Sequence, residues 1–320
     1  GRAAQPRGAT SSRRMRIVRI LLAVLAAGVV LFFGLLAAIW RRPISTLDTL
    51  SKTGMRLSGL RRADIRSARG TVSVWSGGKG STVVLLHGVN DSPAQWASVA
   101  GALMAEHRVI LPELAGHGAS APAIGELTVG DLLEGVDAAI AAEAPQGEVA
   151  LVGNSVGGWL ALLWAIAHPD RARLVVLVNG AALSSGAGIV NMLPRDREEA
   201  RRMYDALTGP AAPAPAGFLL DDLANRSEAS PLARLMRSSY APWRLDDRLS
   251  EVATPVVLLW GDADELLPVA YAQEVARRLP RARLELLPGC GHVPSRECPG
   301  LLLPRLVAAL DSREDRVSGP

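Results

Sequence analysis

Cysteine is nearly missing from this 320-residue chain. Cys290 and Cys298 are the only two, their separation fits no zinc motif, and free thiols are their expected state. There is no P-loop, no dinucleotide fingerprint and no evident metal cluster. "GGKG" at residues 77–80 lacks the Walker spacing and reads as a turn. Whatever chemistry the chain performs is therefore expected to need no cofactor and no metal. Aromatic residues make up 4%, and no basic stripe interleaves with them, which argues against nucleic acid as a partner despite a pI near 9.6. Internal repeats are lacking too.

Acids are scarce at one end only. Residues 1–69 hold 14 of the 35 Lys and Arg but 2 of the 31 acids, Asp48 and Asp64, so beyond them 21 bases face 29 acids. The basic pI belongs to the N-terminal segment, and the remainder is mildly acidic.

Within that segment, Ile17 to Trp40 reads "IVRILLAVLAAGVVLFFGLLAAIW", with Arg19 as its only charge. At about 1.5 Å per residue the run spans roughly 36 Å, enough for a hydrocarbon core of about 30 Å. No clear cleavage site precedes "WRRP", so an uncleaved single-pass anchor is expected, with the bilayer as a partner. Arginines flank both ends, Arg13, Arg14 and Arg16 before and Arg41 and Arg42 after, so the positive-inside rule leaves the side of the body open. Leu47, Leu50 and Leu57 suggest a short amphipathic piece at the membrane surface.

From about residue 62 the pattern changes. "ADIRSARG" and "TVSVW" suggest a hairpin. "TVVLLHG", "HRVILPE", "VALVGNS", "LVVLVNG", "PVVLLWGD" and "ARLELLPGCGH" are short apolar runs suited to strands buried on both faces. Helix-like stretches lie between them, among them "TVGDLLEGVDAAIAAEA", "WLALLWAIAHP" and "VAYAQEVARRLP". This alternation predicts an α/β class fold, a mostly parallel sheet with helices on both faces. From about Ala181 to Arg248 the rhythm breaks into a helical insertion with a Pro/Ala linker, "PAAPAPAG". The expected organisation is a basic tail (1–16), an anchor (17–40), a juxtamembrane linker (41–61), a core (62–180 and 249–312) interrupted by the insertion (181–248), and a C-terminal tail (313–320).

Reactive groups in open α/β sheets collect at the carboxyl ends of strands. Gly153-Asn154-Ser155-Val156-Gly157 fits G-x-S-x-G between an apolar strand and an apolar helix, where a sharp turn displays a serine hydroxyl as nucleophile. A serine needs a base, and the base needs a third group to fix its tautomer. His292 follows the last strand, in the order Ser, acid, His. His107 and His168 occupy expected surface positions, and His117 lies in a loop whose turn it could support. For the acid, "LLWGDADELLP" offers Asp262, Asp264 and Glu265, and spacing does not separate them.

"LLHGVNDSPAQW", "LPELAGHGAS", "LVGNSVGGWLALLWAIAHPDRARLVVLVNGAA", "LLWGDADELLP" and "LLPGCGHVPSRECP" resemble the successive signature blocks of α/β-hydrolases, over roughly residues 65–312, with the insertion in the family's lid position. The resemblance implies Asp264 as the acid, with Asp262 in reserve, and an oxyanion hole of the Val89 and Val156 backbone N–H groups; His87 then shapes its turn. Ser155 departs from the aspartate nucleophile of dehalogenases and epoxide hydrolases. Anchor, body and lid together look similar to membrane-anchored monoacylglycerol lipases and bacterial lipases. That similarity implies a serine hydrolase of carboxylic esters, acting on small-molecule or lipid-like esters with an aliphatic acyl chain, for which Leu219, Leu235 and Trp243 of the lid could line a pocket. "GNSVGG" also resembles the elbow of meta-cleavage-product hydrolases, which implies carbon-carbon bond cleavage as an alternative. A membrane-tethered, inactive binding protein is the remaining one.

Overall fold

The computed structural model describes residues 9–312, with side chains from residue 15. Most of the expected basic tail (1–16) and all of the C-terminal tail (313–320) lie outside the residues described with side chains. The chain forms two units that divide between Leu47 and Asp48.

The first unit is dominated by α1 (Ala9–Arg41), whose stretch Met15–Arg41 is long and apolar enough to cross a membrane, with mean hydropathy 2.9. This helix outruns the expected 17–40 at both ends. The expected linker is also largely helical, as α2 (Pro43–Leu57), which from Asp48 onward belongs to the second unit.

In the second unit the chain runs β1 (Arg61–Ser67), β2 (Gly70–Gly77), β3 (Ser81–Leu86), α3 (Ala97–Leu103), β4 (His107–Pro112), α4 (Val129–Glu143), β5 (Val149–Ser155), α5 (Val156–Ala167) and β6 (Ala172–Gly180). After β6 come α6 (Arg197–Leu207), α7 (Gly217–Arg226) and α8 (Pro231–Leu235), all within the expected insertion. The chain then re-enters the sheet with β7 (Val256–Gly261), α9 (Val269–Arg278), β8 (Ala282–Leu287), the short α10 (Pro294–Glu297) and α11 (Pro299–Asp311).

The eight strands lie in the order β1-β2-β4-β3-β5-β6-β7-β8. β1/β2, the expected hairpin, and β2/β4 pair antiparallel; the other pairs are parallel. Alternation along each strand sends side chains to both faces. Val84 and Leu86 join a cluster with α4, α5 and α9, while Val83 and Leu85 join one with α3 and α11. Full burial of each such side chain contributes roughly 1.5–3 kcal/mol. Local signals agree with the fold: Thr128 and Asp131 form a capping box at the start of α4, and Asp196 caps α6.

The chain leaves β3 for β4 on one side, and the next connection runs from β4 past β3 to β5 on the other. The crevice at the carboxyl ends of β3 and β5 is the topological switch point, where open α/β sheets place ligands.

Candidate active site

Ser155 ends β5 on that crevice with φ 52° and ψ −124°, a strained conformation for a residue with a Cβ. Steric room for the turn comes from glycines. A Cβ on Gly153 would lie 2.2 Å from the Gly157 carbonyl oxygen, and one on Gly157 would lie 2.4 Å from that of Leu86. The motif therefore has a packing requirement behind its spacing. Ser155 is half-buried, its hydroxyl engages no acceptor among the described residues, and α5 starts directly after it.

His292 and Asp264 are both buried, and His292 Nδ1 donates to Asp264 Oδ2 at 2.7 Å. That bond fixes the tautomer and leaves Nε2 as the free acceptor. Asp264 is held from three directions: Oδ1 accepts the Leu266 and Leu267 N–H groups, each at 2.9 Å, and Oδ2 accepts Asn179 Nδ2 at 2.7 Å. The exposed Asp262 instead accepts the Gly289 N–H at 2.7 Å, so geometry pairs Asp264, not Asp262, with the imidazole.

The backbone of His292 is tied down as well. Its carbonyl accepts Asn154 Nδ2 at 2.8 Å, one residue before Ser155, and its N–H donates to the Leu207 carbonyl at 2.8 Å, at the end of α6. Glu297 bridges the loop. Oε1 accepts the Val293 N–H at 3.0 Å, while Oε2 accepts those of Gly291 at 3.1 Å and Gly209 at 2.7 Å. Asn154, Asn179 and Glu297 escape a reading of the sequence. Their only signals were an asparagine at two strand ends and an acid five residues after His292.

Cys290 and Cys298, expected free, are joined in a disulfide with Cα atoms 6.1 Å apart. The turn of α10 brings the two ends of this loop together, and a separation of eight residues alone does not reveal it.

On the other side of the crevice, Gln95 Oε1 accepts the Gly88 N–H at 2.9 Å, and no acceptor among the described residues takes the N–H of Val89 or Val156. Two buried histidines brace this loop. His87 donates from Nδ1 to the Gly88 carbonyl and accepts the Leu114 N–H at Nε2; His117 donates to the Ala115 carbonyl and accepts the Asn90 N–H. Burial pushes both imidazoles down to about 3, so each is neutral and a structural hydrogen-bonding group at neutral pH. His107 is buried rather than on the surface, bonded to Ser81 Oγ at 2.8 Å, and His168 lies against Asp137 and Trp164.

The insertion reaches both sides of the crevice. Ala206 and Leu207 of α6 accept the Glu265 and His292 N–H groups. In α8, the Leu232 N–H donates to Asn90 Oδ1 at 2.9 Å, and the buried Arg234 guanidinium donates to the carbonyls of Gly116, Pro122, Ala123 and Gly125. Of the expected pocket residues, Leu235 packs into the core cluster and Trp243 lies half-buried against it, its carbonyl accepting Trp159 Nε1 at 2.9 Å. Leu219 is half-buried on α7, outside both clusters. Among the described residues no three His, Cys, Asp or Glu side chains gather where they could hold a metal ion.

Residues 83–305 match the alpha/beta hydrolase family. A pimeloyl-[acyl-carrier protein] methyl ester esterase of Aromatoleum aromaticum is 32% identical over 66% of this chain and 91% of its own length. A 2-hydroxy-6-oxononadienedioate/2-hydroxy-6-oxononatrienedioate hydrolase of Cupriavidus pinatubonensis is 28% identical over 68% of this chain and 82% of its own. Among solved structures, a membrane phospholipase A described as a bacterial virulence factor superposes with a TM-score of 0.73 at 26% identity, over 96% of this chain and all of the other.

Proposed function

The chain belongs to the α/β-hydrolase family, and on that premise we propose that it hydrolyses carboxylic esters of aliphatic, lipid-like acyl groups through an acyl-enzyme on Ser155. The observation that carries this reading is the 2.7 Å His292–Asp264 bond, in a loop whose backbone is tethered to the residue preceding a strained, unengaged Ser155.

In the reaction, Ser155 Oγ attacks the ester carbonyl carbon while His292 Nε2 takes the hydroxyl proton. The carbonyl π electrons move onto oxygen, and the Val89 and Val156 N–H groups stabilise that oxyanion. Losing one such donor typically costs about 10²–10³-fold in rate. Collapse of the intermediate expels the alkoxide, which receives the proton from His292. Water then attacks the acyl-enzyme, giving its proton to His292, and the carboxylic acid leaves as Ser155 is restored. Asp264 keeps Nε2 facing the serine and stabilises the imidazolium in between. A small rotation of the serine rotamer completes its hydrogen bond to His292 once substrate is seated. Residues 181–248 act as a lid, with Leu219 and Trp243 toward the acyl chain.

The membrane-length helix and the likeness to a membrane phospholipase support a lipid-like substrate and a single-pass N-terminal anchor, because lipid esters partition into the bilayer to which the body is tethered. A second reading, cleavage of a carbon-carbon bond in a soluble diketo acid, draws support from the 28% identical Cupriavidus relative.

The test is hydrolysis by the full chain in detergent micelles of an acyl-ester chain-length series and a monoacylglycerol, beside Ser155→Ala. Activity that the variant abolishes, with an optimum at medium or long acyl chains, is the expected result. Equal activity in both proteins overturns the nucleophile, while inertness toward every ester with release of a 2-hydroxydienoate moves the reading to carbon-carbon cleavage.

A further inference from the structure

Helix α2 has two faces of opposite character. Inward, Met55 is buried, Asp48 bonds to Ser92 Oγ, and Lys52 bonds to Glu113 at 2.5 Å and Asp48 at 2.9 Å. At 100° per residue, Leu50 and Leu57 fall on the other side of the helix. They are 45% and 85% exposed. Two isolated leucines would need no explanation, but these share one face of a helix that starts two residues after a membrane-length span. At the C-terminal end of this face, Arg56, Leu60, Arg61, Arg62 and Asp64 line an open groove of about 570 Å³. Arg62 is engaged with Asp64 and Ser73, and Arg56 stacks over Trp75 at 5.2 Å. Arg61 is exposed and has no acid partner among the described residues.

We propose that the Leu50–Leu57 face of α2, with Arg56 and Arg61, is a docking surface for a bilayer containing anionic phospholipid, on which this part of α2 lies at headgroup depth. The inference rests on the reading of Met15–Arg41 as a membrane anchor. Apolar side chains enter the acyl boundary while arginines meet headgroup phosphates, the arrangement of an interfacial helix. A second copy is a poorer occupant. The leucines of this face fall far short of the roughly 800 Å² per partner of a standard interface. The inward face gives the docking a consequence. Asp48 holds Ser92, three residues after Val89, so the lipid-facing helix is bonded to the loop that carries a proposed oxyanion donor.

The test uses the full chain in nanodiscs, carrying Leu57→Cys labelled with an environment-sensitive fluorophore, and Lys79→Cys as a solvent-exposed control. In discs of phosphatidylglycerol and phosphatidylcholine the label at 57 is expected to blue-shift and to be quenched by spin-labelled lipid, more weakly in phosphatidylcholine alone, while the label at 79 stays in water. Leu50→Ser with Arg56→Glu and Arg61→Glu is expected to abolish the shift and lower hydrolysis of a bilayer-borne ester about tenfold, leaving hydrolysis of a water-soluble short-chain ester unchanged. A water-exposed signal at 57 in both lipids overturns the proposal. So does a lipid-independent shift accompanied by a dimeric mass, which assigns the surface to a second copy. Because fluorescence requires no turnover, an enzyme inactive on esters fails the proposed function without touching the docking result.

Discussion

Asn154 Nδ2 donates to the His292 carbonyl at 2.8 Å across 138 residues of sequence, and to the Val178 carbonyl at 2.7 Å. One amide thus joins β5, β6 and the loop of the proposed base. Asn154→Ala leaves two buried carbonyls short of a donor, at a cost of about 1–3 kcal/mol. We expect a lowered Tm and a kcat reduced at least about tenfold, with KM for a short ester little changed, because what is lost is orientation rather than binding. An unchanged kcat in a folded variant would show that the tether does not position His292.

Glu297 accepts backbone N–H groups on both sides of His292 and from Gly209, and the disulfide closes the same loop. Glu297→Ala is expected to lower kcat and to raise hydrogen exchange at residues 207–209 and 291–293 together. Replacing both cysteines with serine relaxes a loop of about eight residues, worth roughly 2–3 kcal/mol in the unfolded chain. Differential scanning calorimetry of the two variants separates the contributions, and identical exchange in Glu297→Ala and the parent counts against the clamp.

His87 and His117 remain neutral in the fold down to about pH 3, whereas the unfolded chain protonates them near 6.5. Between those values the unfolded state binds more protons, so stability falls as pH drops from about 6.5 toward 3, by up to about 1.4 kcal/mol per pH unit for each group. Thermal melts across that window check the sign. His117→Gln, which keeps an acceptor for Asn90, is expected to flatten the slope, and a slope equal to the parent's would refute this assignment.

Gly157→Ala tests the turn itself. Its Cβ would sit 2.4 Å from the Leu86 carbonyl oxygen and 2.8 Å from that of His87, both backbone atoms that a rotamer change cannot move. We expect destabilisation of about 3 kcal/mol or more and loss of ester hydrolysis, measured by denaturant midpoint and by labelling with a serine-directed fluorophosphonate. Near-parental stability would mean that β3 and α5 can separate.

The sheet was legible because its buried parallel strands are largely apolar, and β3 to β8 each correspond to one run in the sequence, the edge strand β8 being the most polar of them. Helices were less so. "WLALLWAIAHP" misses the first turn of α5, which begins at Val156 amid glycines, and α11 carries Gly300, Pro304 and Arg305 within a mostly apolar run. Motif spacing singled out Ser155 and His292, but choosing Asp264 over Asp262 from residues alone was not possible. What sets Asp264 against the His292 imidazole is the backbone of a turn and a neighbouring strand, through the bonds from Leu266, Leu267 and Asn179. Asn154, Asn179 and Glu297 bond to His292, Asp264 and Gly209, which lie 138, 85 and 88 residues away in sequence, and such partners leave no periodic trace. The two cysteines misled for a different reason: the α10 turn that unites them has only four residues, too few to show a helical period.

The insertion is fastened at two places. The end of α6 is bonded to His292 and the turn after it to Glu297, while α8 is bonded to Asn90 beside Val89. On the proposed mechanism, an acyl group that wedged these helices apart would draw the proton-transfer side away from the charge-stabilising side. A badly fitting substrate is expected to occupy the site and react slowly, so selectivity among acyl chains is written in turnover more than in affinity.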